Sequence, residues 1–469
     1  MLAVALVAMV GIAPDDASAE SLREALASAY KYNPSLDAER ARLRATDEEV
    51  PRAQSGYRPR IFGQADVNFQ NTNTRPDTPT EGRLHPKGYA LSVEQNLFNG
   101  FQTTNAVREA EAAVRAGRES LRDVERSILL QAVAAYVDVV RDQAVVKLQE
   151  NNVQVLTQEL KATQERFDLG EVTKTDLAQA QARRAGAVSQ LDLARANLKT
   201  SRAIYERVIG NPPSNVSDPG VPERLLPKSI EEALSTGENE NALIVGALYR
   251  EQASRHTVDR IRGELLPDVS LEASYSNRFD TTRAIDEIET TQVTGRLTVP
   301  IYQGGEVSAR VRQAKHIHVS RLQEIEQIRT EVRQAVVSSW SQLQAARAQL
   351  QSDLTQVEAN RSALDGVREE EKVGQRTLLD VLNAEQEYLN AQVQLVTTKR
   401  NLVVSAYSLL SAIGRLEVNN IGVVSTSYDP EVHYHEVRRK WWGLSITHGD
   451  GRSEFLDLWD HRRDAAPMK

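Results

Sequence analysis

The residue types that usually carry catalysis are thinly and unhelpfully placed in this chain. It has no cysteine and eight histidines, which excludes disulfides, thiolate nucleophiles and cysteine metal sites. His316 and His318 stand two apart in a helical pattern, so they fall on different faces, a poor geometry for one metal. His433 and His435 stand two apart in a C-terminal stretch without the acidic or cysteine company of a metal site. All four read as ordinary surface histidines. Gly304-Gly305 opens a helix without the Lys-Ser/Thr that completes a phosphate loop. The expectation is therefore no enzyme, no cofactor and no metal. What does recur is a polar turn: Gly170-Glu171-Val172-Thr173-Lys174-Thr175-Asp176 returns as Gly374-Gln375-Arg376-Thr377-Leu378-Leu379-Asp380, 204 residues later.

The elements around those turns recur as well. Leu97-Phe98-Asn99-Gly100 returns as Ile301-Tyr302-Gln303-Gly304. Val107, Val114, Leu121, Ile128 and Ala135 are spaced by seven, and so are Val311, His318, Ile325, Val332 and Ser339. Such a unit is far longer than the roughly 20–50 residues of a solenoid repeat, so the chain is a duplicated half-protein. Ser21–Ser55 matches Ser229–Gly263 at an offset of 208, anchored by Asn33 on Asn241 and Pro59 on Pro267.

Each half carries two alternating segments. Ile61, Gly63, Ala65, Val67 and Phe69 alternate with Gln64, Asp66 and Asn68, and Tyr89, Leu91, Val93 and Leu97 with Ser92, Glu94 and Asn96. Val269, Leu271, Ala273 and Tyr275 alternate with Ser270, Glu272, Ser274 and Ser276, and Val293, Gly295, Leu297, Val299 and Ile301 with Thr294, Arg296 and Thr298. Each is about the ten residues a tilted membrane strand needs, apolar on one side and polar on the other. Periodicity alone does not separate this from half-buried strands of a soluble sheet. The joining stretches Asn71–Lys87 and Asn277–Thr290 read as exposed loops, facing the cell exterior if the strands span a membrane.

No proline interrupts Gly100–Gly170 or Gly304–Gly374, so each half should carry a helix on the order of 100 Å long, followed by a helix running back over Lys174–Ile209 or Thr377–Ile413. The returning helices keep heptads in which Leu177, Leu191, Leu198 and Tyr205 accompany Ala180, Ala187, Ala194 and Val208. Val381, Tyr388, Leu395, Leu402 and Leu409 accompany Ala384, Ala391 and Ala412. Such seams predict coiled-coil hairpins. Arg184, Arg321, Gln131 and Gln342 in seam positions indicate packing that faces water on part of its circumference.

Composition agrees. Aromatics are 5% and the balance of 57 basic to 65 acidic residues is mildly negative, which gives no support for nucleic-acid binding. Residues Leu2–Ala13 form a short apolar run before Ala17-Ser18-Ala19, the pattern of a secretory signal cleaved after Ala19, although no basic residues precede the run. Later stretches fall short of the ~18 apolar residues of a membrane helix, so any bilayer crossing falls to the strands. Four strands cannot close a barrel, and open edges in lipid leave backbone groups unpaired. Three chains would supply twelve strands, with the long helices below them as a coiled-coil cylinder around a polar conduit.

These features together resemble the TolC family, the trimeric outer-membrane channels of type I secretion and multidrug efflux. The resemblance covers nearly all of Glu20–Leu416. It is strongest over Val373-Gly374-Gln375-Arg376-Thr377-Leu378-Leu379-Asp380-Val381-Leu382-Asn383-Ala384, which is similar to the family's helix–turn–helix at the periplasmic tip, with Arg166–Leu177 as its first-half equivalent. It implies an α+β membrane protein: a homotrimer with a 12-stranded β-barrel on a periplasmic α-helical barrel, in the outer membrane of a Gram-negative bacterium. Its partners would be an adaptor and an inner-membrane transporter, ABC or proton-driven. In domain terms the resemblance gives a signal peptide (1–19), a first repeat (20–210; strands about 60–70 and 88–99, hairpin about 101–210) and a linker (211–228). A second repeat follows (229–416; strands about 268–277 and 290–302, hairpin about 305–413), then a periplasmic tail (417–469).

The resemblance also implies a gate. Thr175 and Asp176 match the acceptors on the outer helix pair, Arg376 the arginine that bridges to them, and Asp380 the acidic ring of the constriction. Two positions depart from the family pattern, with Glu371 where it has a tyrosine and Asn383 where it has a second acidic residue. In the tail, Arg438-Arg439-Lys440-Trp441-Trp442 could lie at a lipid surface, but packing of the two Trp on the equatorial belt of Ser21–Ser55 and Ser229–Gly263 is the plainer expectation. A periplasmic coiled-coil adaptor or scaffold is the alternative function. It accounts for the hairpins but normally carries one of them and a lipoyl-like domain, and a soluble scaffold leaves the four alternations unexplained.

Overall fold

The structure is a computed structural model, and it describes residues 20–72, 82–282, 284–423, 427–447 and 453–455. The expected signal segment, the middle of the Asn71–Lys87 stretch and the end of the tail lie outside the described residues. In order the elements are α1 (Leu22–Tyr32), α2 (Pro34–Asp47), α3 (Glu49–Gln54), β1 (Arg60–Val67), β2 (Gln70–Thr72), β3 (Gly82–Leu84) and β4 (Lys87–Asn99). Then come α4 (Gln102–Asp168), α5 (Lys174–Ile209), α6 (Ile230–Glu240), α7 (Ala242–Gly263), β5 (Asp268–Thr282) and β6 (Ile285–Thr298). The chain ends with α8 (Glu306–Lys372), α9 (Leu378–Ala412), α10 (Val418–Ile421), α11 (Glu431–Val437), β7 (Ser445–Thr447) and β8 (Ser453–Phe455). None of the helices is long and apolar enough to cross a membrane among the described residues.

The duplication does not fold as one unit per half. One compact unit comprises residues 1–36, 124–238 and 332–427, the other 37–123, 239–331 and 428–469. Each draws on both repeats, because α4 and α8, each 67 residues and so ~100 Å long, contribute a stretch to both units.

The second unit holds an antiparallel sheet in the order β1-β4-β5-β6. Its register aligns the alternations across all four strands up to Asn96, where a shift skips Leu97 and sets Phe98 opposite Val269. Gly63 faces Leu91, Leu91 faces Tyr275, Val93 faces Ala273, and Ala273 faces Val293. One residue along, Phe62, Ser92, Ser274 and Gln292 form the opposite row. One face is thus apolar and the other largely polar, as strict period-two alternation requires. The apolar row is open in the single chain, with Ile61 66%, Leu91 50%, Val293 69% and Leu297 65% exposed.

The strands of the second repeat correct the expectation of a loop over Asn277–Thr290. β5 runs on to Thr282 and β6 starts at Ile285, with a register shift between Phe279 and Thr282 and Asp280 in a left-handed conformation. Phe279, Thr281, Thr282, Ile285 and Ile288 are good strand formers, and acidic neighbours do not oppose a strand whose flanks are solvated. At its other end β6 stops at Thr298, short of the expected residue 302, because Pro300 has no N–H to continue the ladder. Phe69 and Val299 therefore lie just beyond β1 and β6.

At the junction of sheet and helices, Gly100 approaches Gly263 so closely that a Cβ on either would clash with the other's backbone. Nearby, Ile261, Val307, Val311 and Ala314 form one buried cluster, and Val50, Ala110 and Val114 another against Ala53 and Tyr434. In the first unit the heptad residues Leu191, Ala194, Tyr205, Ala391 and Leu409 are buried. The Tyr136 and Tyr205 rings lie 6.3 Å apart, and the Tyr136 hydroxyl donates to the carbonyls of Glu20 and Ser217.

Candidate functional site

The two polar turns belong to the first unit and are built alike. α4 ends in a Schellman motif: Gly170 N–H donates to the Phe167 carbonyl and Glu171 N–H to that of Arg166, both at 2.9 Å. Gly170 has φ +77°, the left-handed conformation that glycine adopts without cost. α5 then starts with a capping box. The Thr173 hydroxyl accepts from Asp176 N–H at 3.2 Å, and the Asp176 carboxylate accepts from the Thr173 N–H at 2.9 Å. The second turn repeats this. Gly374 (φ +77°) donates to Glu371 and Gln375 to Glu370, and Thr377 and Asp380 cap α9 reciprocally. The repeated Gly-x-x-Thr-x-x-Asp is therefore a turn-forming motif, with each residue type required by a backbone group it satisfies.

This changes what the expected gate residues do. Asp380 accepts from both the N–H and the hydroxyl of Thr377, and those bonds hold its carboxyl below the usual range. Asp176 is engaged in the same way by Thr173, and Thr175 is exposed in the first turn of α5. Arg376 does not bridge to Thr175 or Asp176 within this chain. Its Nε donates to Glu370 at 2.9 Å, a partner six residues away in the same turn, which can be reached without ordering a second element.

The two departing positions join the hairpins near their turns. Arg166 of α4 donates to Glu371 of α8 at 2.7 Å, and Arg183 of α5 donates to Asn383 of α9 at 2.7 Å. Behind them Arg368 meets Glu385 at 2.7 Å, with the Glu385 side chain only 8% exposed. Glu159 completes the cluster. Burial pushes its carboxyl above the ordinary range, the charges of Glu385 and Glu371 add to the shift, and Arg166 and Arg368 oppose it. Under this charged layer Leu156, Ala187 and Leu382 are packed together, flanked by Val153 and Leu378. Alongside lies a groove of about 750 Å³ lined by Gln149, Asn152, Arg183, Gln190, Gln386 and Asn390.

The arrangement can hold two helical hairpins together through exposed, breakable polar bonds over a small apolar contact. It offers no cluster of metal-binding side chains among the described residues. Sequence reasoning placed Glu371 and Asn383 in the gate, as departures from the family pattern, and missed Arg166, Arg183, Arg368, Glu385 and Glu159. The capping boxes were legible as Thr-x-x-Asp at both turns. Two of the histidines expected at the surface are partly enclosed beside carboxylates. His433 Nδ1 lies 3.0 Å from the buried Asp47 carboxylate, and His318 lies 3.4 Å from Glu251.

Known proteins share this design. The outer membrane efflux protein family matches residues 25–211 and 234–415, one segment in each repeat. The chain is 39% identical over 435 residues to the outer membrane efflux protein BepC of Brucella suis biovar 1, covering 92% of this chain and 94% of that one. It is 23% identical over 417 residues to the outer membrane protein TolC of Escherichia coli, covering 86% and 84%. Among solved structures, the Campylobacter jejuni CmeC outer membrane channel superposes with a TM-score of 0.75 at 17% identity, over 89% of each chain. With the aligned strands, the paired long helices and the duplicated turns, these matches establish that the chain belongs to the outer membrane efflux protein family and has its α+β channel fold.

Proposed function

We propose that three copies of this chain form the outer-membrane exit duct of a tripartite export system, opened at its helix turns by an inner-membrane transporter and a periplasmic adaptor. The observation that carries this is the four-stranded sheet with an exposed apolar face and two unpaired edges, β1 and β6. In lipid each unpaired backbone group costs several kcal/mol, so the edges require partners, and the smallest symmetric set that makes a wide barrel is β6 of one copy on β1 of the next. The polar face would then line the pore. The long helices would form the periplasmic conduit, and the Arg166–Glu371 and Arg183–Asn383 bonds would keep its turns closed. Arg376, Asp380, Thr175 and Asp176 would shape the turns and present charge at the entrance.

The test is direct. In mild detergent the protein should run as a heat-sensitive trimer, and in planar bilayers it should conduct. Crosslinks placed at Thr175 or Gln375 should capture inner-membrane proteins. A monomer that neither conducts nor partitions with the outer membrane would return the adaptor reading to first place.

A further inference from the structure

We infer that the C-terminal segment is a lipid-surface anchor, in which Trp441, Trp442, Leu444 and Arg439 rest on the phospholipid headgroups where the strands meet the helices. The inference rests on the sheet spanning a membrane, and it assigns a role to a part of the chain outside both repeats.

The segment is fastened before it reaches that level. Glu431 accepts from Arg118 at 2.6 Å, His433 meets Asp47 at 3.0 Å, and Arg438 donates to Glu111 at 2.9 Å. Tyr434 packs against Val50, Ala110 and Val114 beneath the Arg118 guanidinium. Arg58, two residues before β1, then takes over. It donates to the Lys440 carbonyl at 2.8 Å, and its guanidinium lies 4.9 Å from the Trp441 ring centroid. The Lys440 ammonium donates to the carbonyl and hydroxyl of Ser445, holding the turn closed.

What is held there is left uncovered. Trp441 is 70% and Trp442 90% exposed, and Leu444 and Ile446 are exposed beside them. This corrects the expectation that the Trp pair packs on the equatorial belt: Trp441 meets Arg58 and Trp442 meets solvent. Side chains of this type are costly in water and favourable in the headgroup region, where an indole keeps its N–H wet and its ring in the acyl boundary. Other aromatics mark the same level in this unit. Tyr57 precedes β1, Phe101 follows β4 and Tyr302 follows β6, all exposed. Membrane barrels carry such girdles at the interfaces. Arg439, exposed next to the pair, supplies a charge complementary to phosphate. Their place beside the start of β1 and this charge together select a lipid surface over water.

The test uses the full-length protein with Trp340 and Trp459 replaced by Phe, so that emission reports Trp441 and Trp442. It is reconstituted into phosphatidylglycerol vesicles containing phosphatidylcholine brominated either near the headgroup end of the acyl chains or near the bilayer centre. The expected result is blue-shifted emission that loses most of its intensity with the shallow bromine and little with the deep one. Arg439→Glu should reduce that loss when phosphatidylglycerol is present. Emission quenched by aqueous acrylamide but not by bromine would place the pair in water. Emission quenched by neither would place it under a neighbouring protein chain. Either result overturns the inference while the channel reading stands, provided the sample still conducts as a trimer. Loss of both conduction and trimer would remove the channel reading and this inference with it.

Discussion

Replacing Glu371 with Ala should loosen the helix turns more than replacing Arg376 with Ser, because Glu371 joins two hairpins whereas Arg376 bonds within its own. The Arg166–Glu371 contact is 2.7 Å long, with side chains 45% and 17% exposed. With Arg166 nearly half in water, about 1 kcal/mol, the upper end for a partly exposed pair, is the appropriate size. In a trimer whose turns open together, three copies give about 3 kcal/mol, and since each 1.4 kcal/mol is tenfold, the closed-to-open ratio should fall about 150-fold. The assay is open probability of single channels in a planar bilayer, with entry of large antibiotics into cells as the companion. Arg166→Ala should match Glu371→Ala, and the double variant should add little to either, since one bond is removed in all three. Wild-type gating in Glu371→Ala beside an open Arg376→Ser channel would refute this account. The closing bonds would then be made by Arg376 across a boundary between copies.

Three further outcomes follow from the same geometry. Arg at Leu91, on the apolar row between Gly63 and Tyr275, should cost roughly 2–4 kcal/mol per chain, and Arg at Ser92 on the polar row far less; equal losses of folded trimer in urea titrations would remove the membrane face. Glu159 is raised above 4.5, so the native state holds more protons than the unfolded one in the window just above that value, and stability should fall as pH rises through it. Glu159→Gln should flatten that slope in pH-dependent melting and stabilise the hairpin contact at neutral pH. Thr377→Ala removes the cap of α9 and should cost about 1 kcal/mol, seen as faster amide exchange in the first turn of α9 with the second turn unaffected.

How much of this was legible depended on how local each signal is. The apolar alternation around Leu91 and Ala273, the heptads through Leu191 and Leu409, and the Gly-x-x-Thr-x-x-Asp turns all act within a few residues, and each appears in the structure as strand, buried seam or capped turn. The extension of β5 and β6 was hidden because acidic residues such as Glu287 and Glu289 read as loop, although a two-stranded ladder tolerates them where both faces are wet. The Arg166–Glu371 bond links residues 205 positions apart, and no periodicity encodes the choice between Glu370 and Glu371 as its partner. Asp47 and His433 present the same difficulty over a longer span. The helical half of the site was readable, and its cross-links were not.

Those cross-links are not symmetric between the two repeats. At the 204-residue offset Arg166 corresponds to Glu370, and Arg183 to Glu387, so the repeats carry opposite charges at equivalent places. Glu371 corresponds to Phe167, and Glu159 to Ala363. Two identical hairpins side by side would set Arg166 beside its own copy, and like charges repel by about as much as opposite charges attract. The bonds formed use residues that differ between the repeats, since Arg166 pairs with Glu371 and not with its equivalent Glu370, and Arg183 with Asn383 and not with Glu387, while the turn motif of glycine, threonine and aspartate is common to both. In the proposed ring of three chains there would be six hairpins and two kinds of seam, one inside each chain and one between chains. With identical repeats the two seams would be interchangeable. The differences between the repeats would make them differ, so that one kind could open without the other. Exchanging Arg166 and Glu371 (Arg166→Glu with Glu371→Arg) should restore closure relative to either single change, and failure to do so would show that their direct bond is not what holds the seam inside the chain.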